Sequence, residues 1–316
     1  DEGSGTASAV ATPGAAANPL APVAALNLHG TLTLGELKVT GATLTQVKLT
    51  LKTGGGRVIL EPMSASLYGG SYKGSARLTA GDTGANWQVK EEINGVQVGP
   101  LLRDVADSDM IEGTGNLSAN LSGSGLSDAE MRRSAKGEVR FAFSDGALNG
   151  INLAQTVREV KAMLKGQTAK QEGPLKTDFS ALTGSLQVGG GKATNRDLLM
   201  KSPFLRVTGE GDANLVSEEL DYLLRAKVVG TAKGQGGSEL RDLEGVTVPV
   251  RVTGTFADPS FSPDLEVALK EVANQRLEGE KAKLQEKVQQ ELTDEQDKLK
   301  GQVGEELQKA LKGFKF

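Results

Sequence analysis

Residues 220–228 read LDYLLRAKV, a stretch in which apolar and charged side chains largely alternate. Alternation is typical of a β-strand with one buried and one solvated face, because successive side chains point to opposite faces. The same pattern recurs at 117–121 (LSANL), 139–143 (VRFAF) and 248–252 (VPVRV). The repetition predicts a mainly β protein with one long apolar face that something must cover.

Outward from these stretches, strand-like runs fill the chain from about residue 26 to residue 263 and are joined by short, often glycine-bearing links. Short links favour antiparallel neighbours, since a parallel crossover needs about a dozen residues. Helical periodicity interrupts the strands at 98–105, 128–133 and 153–164, the last with Asn152 as its cap. We therefore expect about fourteen strands, mostly antiparallel, with a few short helices.

Composition divides the chain into three parts. Residues 1–25 are rich in Ala, Gly, Pro, Ser and Thr, which predicts a disordered linker. Residues 26–263 form the predicted β domain. Residues 264–316 are highly charged with apolar positions at helical spacing, which predicts a C-terminal amphipathic helix. Ser262 and Pro263 are its expected start, and a capping box at Thr293 and Gln296 predicts a break there.

Overall composition excludes several classes of protein. The net charge is −4 with both signs dispersed, which leaves no footprint for nucleic acid. The chain has no cysteine, so it has neither disulfides nor thiolate metal sites. No run of eighteen apolar residues is present that could span a membrane. Because the chain opens with Asp1, we expect it to be a fragment or mature form without its upstream targeting or anchoring segment.

No pattern for catalysis emerges from the titratable residues. The only histidine is His29, at a strand start, with no nucleophile arranged beside it. No cluster has metal-ligand spacing, and the glycine strings lack the lysine and helix start of a phosphate-binding loop. These observations predict a protein that is not an enzyme and has no cofactor. A polysaccharide-active β-helix is an alternative, but the short links disfavour its parallel coils.

Several segments resemble a known family. ASLYGGSYKG (65–74), DGALNGINL (145–153), LLMKSPFLRVTGEGD (198–212) and GVTVPVRVTGTFADPSF (245–261) are similar in order and spacing to motifs of the AsmA family, from about residue 26 to 272. Gly69 and Gly70 match a turn, and Pro259 matches the end of the last strand.

The resemblance implies a long, curled sheet whose concave face is a hydrophobic groove, in an envelope protein of diderm bacteria related to bridge-like lipid-transfer proteins. It also implies a periplasmic location, phospholipid as the partner, and an inner-membrane anchor in an N-terminal region that this sequence lacks. By pattern alone, a closed sandwich or barrel is favoured, in which the apolar residues pack on one another. With the resemblance, an open groove is favoured, lined by Leu117, Leu121, Val139, Phe141, Phe143, Leu220, Tyr222, Leu224, Val228, Val248, Val250 and Val252.

Two functions follow as expectations. The first is a non-enzymatic lipid-binding or lipid-transfer module that supports outer-membrane lipid homeostasis. The second is a structural or assembly factor for outer-membrane biogenesis that binds an envelope protein through the C-terminal helix.

Overall fold

The computed structural model describes residues 26–81, 84–170, 173–203, 205–229 and 243–313, together with Pro22. The predicted linker, apart from Pro22, and the glycine-rich segment 233–237 lie outside these residues. The chain divides into two compact units, Asp1–Asp264 and Leu265–Phe316. The first unit contains the sheet and the second is helical.

The first unit holds a single 13-stranded sheet in which the strands follow one another in chain order. Every neighbouring pair is antiparallel, and β1 and β13 are the two edges, so the sheet does not close into a barrel. The fold class is therefore confirmed as mainly β and antiparallel. The strands are β1 His29–Val39, β2 Ala42–Gly54, β3 Arg57–Leu67, β4 Gly70–Gly81, β5 Gly84–Gln97, β6 Ile111–Ser124, β7 Lys136–Asn149, β8 Lys176–Gly189, β9 Lys192–Lys201, β10 Leu205–Asn214, β11 Leu220–Val228, β12 Thr247–Gly254 and β13 Pro259–Pro263.

Two-residue loops with positive φ at both positions make the sharpest hairpins. Gly55 and Gly56, with φ of 56° and 75°, join β2 to β3. Tyr68 and Gly69, with φ of 43° and 80°, join β3 to β4. This backbone matches the right-handed twist of the flanking strands, which explains why glycine recurs at these links. Gly69 lies in the predicted turn, whereas Gly70 already begins β4.

Three short helices connect strands of the sheet: α1 Val98–Ala106, α2 Asp128–Ser134 and α3 Leu153–Leu164. Asn152 caps α3 as predicted, because its side-chain oxygen accepts from the Gln155 N–H at 2.9 Å. Ser127 and Glu130 form a reciprocal capping box at the start of α2.

Where the predicted strands differ from the observed ones, single residues are the reason. Strand β3 passes through Pro62 at a shift of register between Leu60 and Met63, so 57–60 and 63–67 belong to one strand. Pro259 was expected to end the last strand; instead it opens β13, which pairs with β12. The sheet has thirteen strands in the described residues, against the expected count of about fourteen.

The second unit is one helix, α4, Leu265–Gly313. The predicted start at Ser262 and Pro263 is wrong, because both residues belong to β13, where Ser262 pairs with Arg251. The predicted break at Thr293 is also wrong. The Thr293 hydroxyl donates to the Gln289 carbonyl at 2.8 Å, so it is satisfied inside a continuous helix.

Candidate functional site

All of the predicted groove residues lie on one face of the sheet, which we call the apolar face. Cross-strand pairing carries this face from β7 to β12 through Phe143, Leu182, Met200, Val207, Ala226 and Val248, each paired with the next. On β6, Leu117 pairs with Phe141 and so belongs to the same face. Register therefore brings together side chains that are more than one hundred residues apart in sequence.

One part of the apolar face is packed within the protein. Val228 is 1% exposed, Val248 is 1% exposed and Val250 is not exposed at all. Helix α3 contacts β8 and buries its own apolar stripe, Leu153, Val157 and Val160. Side chains packed in this way cannot line an open groove. Val228, Val248 and Val250 therefore lie inside the protein in this structure, and their role as ligand-facing residues stays a prediction.

A polar bridge holds the start of α3 on the sheet. The Leu153 N–H donates to the Thr177 hydroxyl at 2.9 Å, and that hydroxyl donates to the Ile151 carbonyl at 2.8 Å. Thr177 is 5% exposed, so both bonds form away from water. A buried hydroxyl with donor and acceptor roles both filled fixes the helix at one position on β8.

Next to this packed part lies an apolar cavity of about 190 Å³. Of the predicted residues, Phe141, Leu220, Tyr222, Leu224 and Val252 line it. Sequence reasoning missed its other main lining residues, although alternation in 198–212 could have indicated some of them: Leu182, Leu186, Leu198, Met200, Val207 and Phe261. Pockets for whole small molecules are typically about 300–1,000 Å³, so this cavity could enclose part of an acyl chain and not a complete lipid.

A contact between β13 and the end of β7 shows how the sheet curves. Phe261 of β13 lies against Gly150 just beyond β7, with its Cε2 atom 2.7 Å from the position that a Cβ on Gly150 would take. In a flat sheet these strands would be separated by six spacings of about 4.8 Å, or about 29 Å. The C-terminal half of the sheet therefore curls so that its last strand approaches the end of β7.

Polar groups beside the cavity are already satisfied. The Tyr222 hydroxyl donates to the Asn195 side-chain oxygen. The Asn195 amide donates to the Ser185 carbonyl at 2.6 Å and to Asp197 at 2.8 Å. Burial raises the pKa of Tyr222 above its ordinary value, which keeps the phenol protonated. The polar atoms of Tyr222 and Asn195 are therefore engaged in hydrogen bonds within the protein.

The middle of the apolar face, on β6 and β7, is only half-buried. Leu117, Leu121, Val139, Phe141 and Phe143 all have intermediate exposure. The rings of Phe141 and Phe143 stack with centroids 5.3 Å apart. We call this half-buried part, together with the adjoining 190 Å³ cavity, the apolar groove.

Glycines let the aromatic rings of the apolar face lie flat. A Cβ on Gly184 would stand 2.7 Å from the Phe141 ring, and one on Gly115 would stand 2.5 Å from the Phe143 ring. Gly123 is covered by Trp87 and Gly211 by Tyr222 in the same way. In each case the glycine and the aromatic residue are cross-strand partners. Rings that lie along the sheet leave the space above them free, whereas upright rings would fill it.

One carboxyl interrupts the apolar face on β5. Glu91 faces the same side as Ile93, which pairs with Leu117, and its Oε2 atom is buried without a partner in the described part of the chain. Burial raises the pKa of Glu91, and the nearby Tyr72 hydroxyl offsets part of that rise. The same burial and the neighbouring carboxyl raise the pKa of Tyr72.

Nothing resembling a metal centre occurs in the residues that the structure describes, where no three His, Asp or Glu side chains gather. His29 is exposed on the edge strand β1. Within the same residues, no helix is both long and apolar enough to cross a bilayer.

Comparison with known proteins identifies the family of this chain. The sequence model of the AsmA family matches residues 21–198, more than half of the chain, so the chain belongs to the AsmA family. It is 24% identical over 232 residues to Protein AsmA of Escherichia coli strain K12. The match covers 73% of this chain and 37% of the relative, so the chain spans little more than a third of that protein's length. No solved structure gave a match.

Proposed function

We propose that this chain is a non-enzymatic lipid-binding and lipid-transfer module of the periplasm that holds phospholipid acyl chains in the apolar groove. Membership of the AsmA family points to a role connected with the cell envelope. The observation that carries the proposal is the half-buried apolar strip on β6 and β7, which continues into a cavity instead of being covered by the fold.

The free energy of removing acyl chains from water favours a lipid as the ligand of the apolar groove. A two-chain lipid carries on the order of 30 methylenes, and exposing them to water would cost roughly 24 kcal/mol at about 0.8 kcal/mol each. A few polar contacts could not offset this cost, whereas a continuous apolar surface can. Measured along the curled sheet, thirteen strands at about 4.8 Å spacing give about 58 Å, of which the packed part on β11 and β12 offers no open surface.

Native mass spectrometry of the purified chain tests the proposal. We expect co-purified phospholipid, and we expect Phe143→Glu to reduce the amount retained because it places a charge in the half-buried strip. Ala142→Glu is the matched control, since Ala142 is exposed on the opposite face of the same strand. Lipid-free wild-type protein from a gentle preparation, or equal loss in both variants, would contradict the proposal.

A second candidate is an assembly factor that binds an envelope protein through α4. The observation in its favour is a set of exposed apolar side chains on that helix, recurring four or seven residues apart: Leu277, Leu284, Val288, Leu292, Leu299 and Val303. Such spacing keeps the side chains on one stripe of a helix.

Deletion of residues 277–316 separates the two candidates. If α4 binds a partner, the deletion abolishes function in cells and leaves the bound lipid of the purified protein unchanged. If the groove alone acts, the truncated protein retains both lipid and function.

A further inference from the structure

A second concave site lies on the opposite, polar face of the sheet. Arg77 sits between Ala76 and Leu78 of β4, and Gln88 sits between Trp87 and Val89 of β5, so both point away from the apolar face. Around them is a cavity of about 830 Å³. One row of cross-strand partners runs through it, namely Lys52, Ile59, Arg77, Gln88, Ser122 and Lys136.

The cavity is strongly positive. Its lining contains four cations, Lys52, Arg57, Arg77 and Lys136, against the single carboxylate of Glu61. Glu61 already forms an ion pair within the protein, because its Oε2 atom lies 2.7 Å from the Arg77 guanidinium. In the part of the chain that the structure describes, the side chains of Lys52, Arg57 and Lys136 have no ion pair. We call this site the basic pocket.

Fold stability does not account for this arrangement. Like charges gathered on one surface repel one another, and the chain as a whole carries a net charge of −4. A positive concavity on a negative protein concentrates anions from solution. Gln88, Ser122 and Ser124 add neutral hydrogen-bond donors to the same lining.

We propose that the basic pocket binds a phosphate-bearing anion. An arginine fork and lysine ammonium groups are the side chains that bind phosphate oxygens, and hydroxyl and amide donors complete such sites. Arg77 is held in place by Glu61, while Lys52, Arg57 and Lys136 are free to contact the ligand. The pocket is distinct from the apolar groove, because its lining cations point to the other face of the sheet.

Two sources could supply this anion: the headgroup of an anionic phospholipid, or a soluble phosphate ester. Inorganic phosphate probes the soluble source, measured by equilibrium dialysis at low salt. Vesicles of phosphatidylglycerol in phosphatidylcholine, compared with vesicles of phosphatidylcholine alone in a sedimentation assay, probe the lipid source. Both use the whole chain.

The decisive variant is K52Q/R57Q/K136Q. We expect its affinity for the bound probe to fall about tenfold or more, because each charged hydrogen bond lost is worth at least that factor. The control, K48Q/K201Q/K227Q, removes three exposed cations that do not line the pocket and changes the net charge equally. Circular dichroism checks that both variants keep the sheet.

Each result decides the proposal. Loss of phosphate binding in the pocket variant alone supports a soluble ligand, and loss of phosphatidylglycerol vesicle binding in that variant alone supports a lipid headgroup. Equal weakening in both variants would show only nonspecific attraction and would overturn the proposal. Absence of wild-type binding to both probes at low salt would overturn it as well.

Discussion

Single residues set the depth of the groove. Four aromatic rings of the apolar face, Trp87, Phe141, Phe143 and Tyr222, lie across cross-strand glycines where a Cβ would stand within 2.3–2.7 Å of the ring. A ring held flat covers apolar surface of the sheet and projects little into the space above it. Glycine at these positions therefore has a packing role that differs from its role in the hairpin loops.

Gly184→Ala tests this role. Its new Cβ would stand 2.7 Å from the Phe141 Cζ atom and 3.0 Å from the Asn195 amide nitrogen, so the ring or the amide must shift. We expect the free energy of unfolding to fall by about 1–3 kcal/mol, the usual cost of overpacking, in urea denaturation. Retained lipid should fall with it.

Gly189→Ala provides the control from the same strand. No atom lies within 4 Å of its new Cβ, so we expect a change of no more than about 0.5 kcal/mol. Equal destabilisation by both substitutions would indicate that strand glycines matter here for backbone reasons and not for the position of Phe141.

Glu91 predicts a pH dependence of stability. Burial raises its pKa in the folded state, so the folded protein binds the proton more tightly than the unfolded chain does. Stability should then decrease as pH rises from the ordinary carboxyl range through the raised pKa, because deprotonation leaves a charge in an apolar setting.

Glu91→Gln removes the titration while keeping an acceptor for Tyr72. Its stability relative to the wild type, measured by denaturation between pH 4 and pH 8, should improve as pH rises. Glu92→Gln is the matched control, since Glu92 is exposed and faces the other side of β5. A relative stability of Glu91→Gln that stays constant over this range would contradict the prediction.

Among the elements, α3 is packed into the protein through its contact with β8. Its stripe is buried, and the Thr177 bridge fixes its first turn to β8. Helix α4 differs, because its apolar positions from Leu277 to Val303 are exposed. The two amphipathic helices therefore have different tasks despite similar periodicity: one is a component of the core, and the other presents its stripe to solvent.

Leu153→Ala tests the contribution of α3. Leu153 is fully buried, so truncation should lower the free energy of unfolding by about 2–5 kcal/mol through lost burial and a residual cavity. Met163→Ala on the same helix is the control, because Met163 is 50% exposed and should contribute far less. Urea denaturation of both variants gives the comparison, and a similar small loss in both would show that α3 is not part of the core.

At the scale of the whole molecule, one open sheet has two differently specialised faces. The apolar face is the basis for the proposed lipid groove, and the polar face holds the basic pocket. Alternation along each strand separates the two faces, because neighbouring residues always point to opposite sides. Since β1 and β13 both remain unpaired edges, neither face is closed off by a barrel.

The amino-acid sequence alone was enough to predict most of the strands, their antiparallel order and the residues that share a face. These properties depend on a period of two and on short links, both of which are local. It also determined the cap at Asn152, because capping requires only a side chain and the next few N–H groups. Two predictions failed because another interaction prevailed over the local signal. Strand β13 was missed because it forms by pairing with β12, and α4 does not break at Thr293 because the Thr293 hydroxyl bonds to Gln289 within the helix.

Which apolar residues are exposed and which are packed depends on contacts that the sequence pattern does not reveal. Leu117 and Val250 are both apolar positions in an alternating stretch of sequence, yet Leu117 is half-buried and Val250 is fully buried. The difference depends on how the sheet curls, and that curl brings together residues far apart in the chain, such as Gly150 and Phe261. The basic pocket was missed for the same reason, since Lys52, Arg77 and Lys136 come together only through the register of six strands.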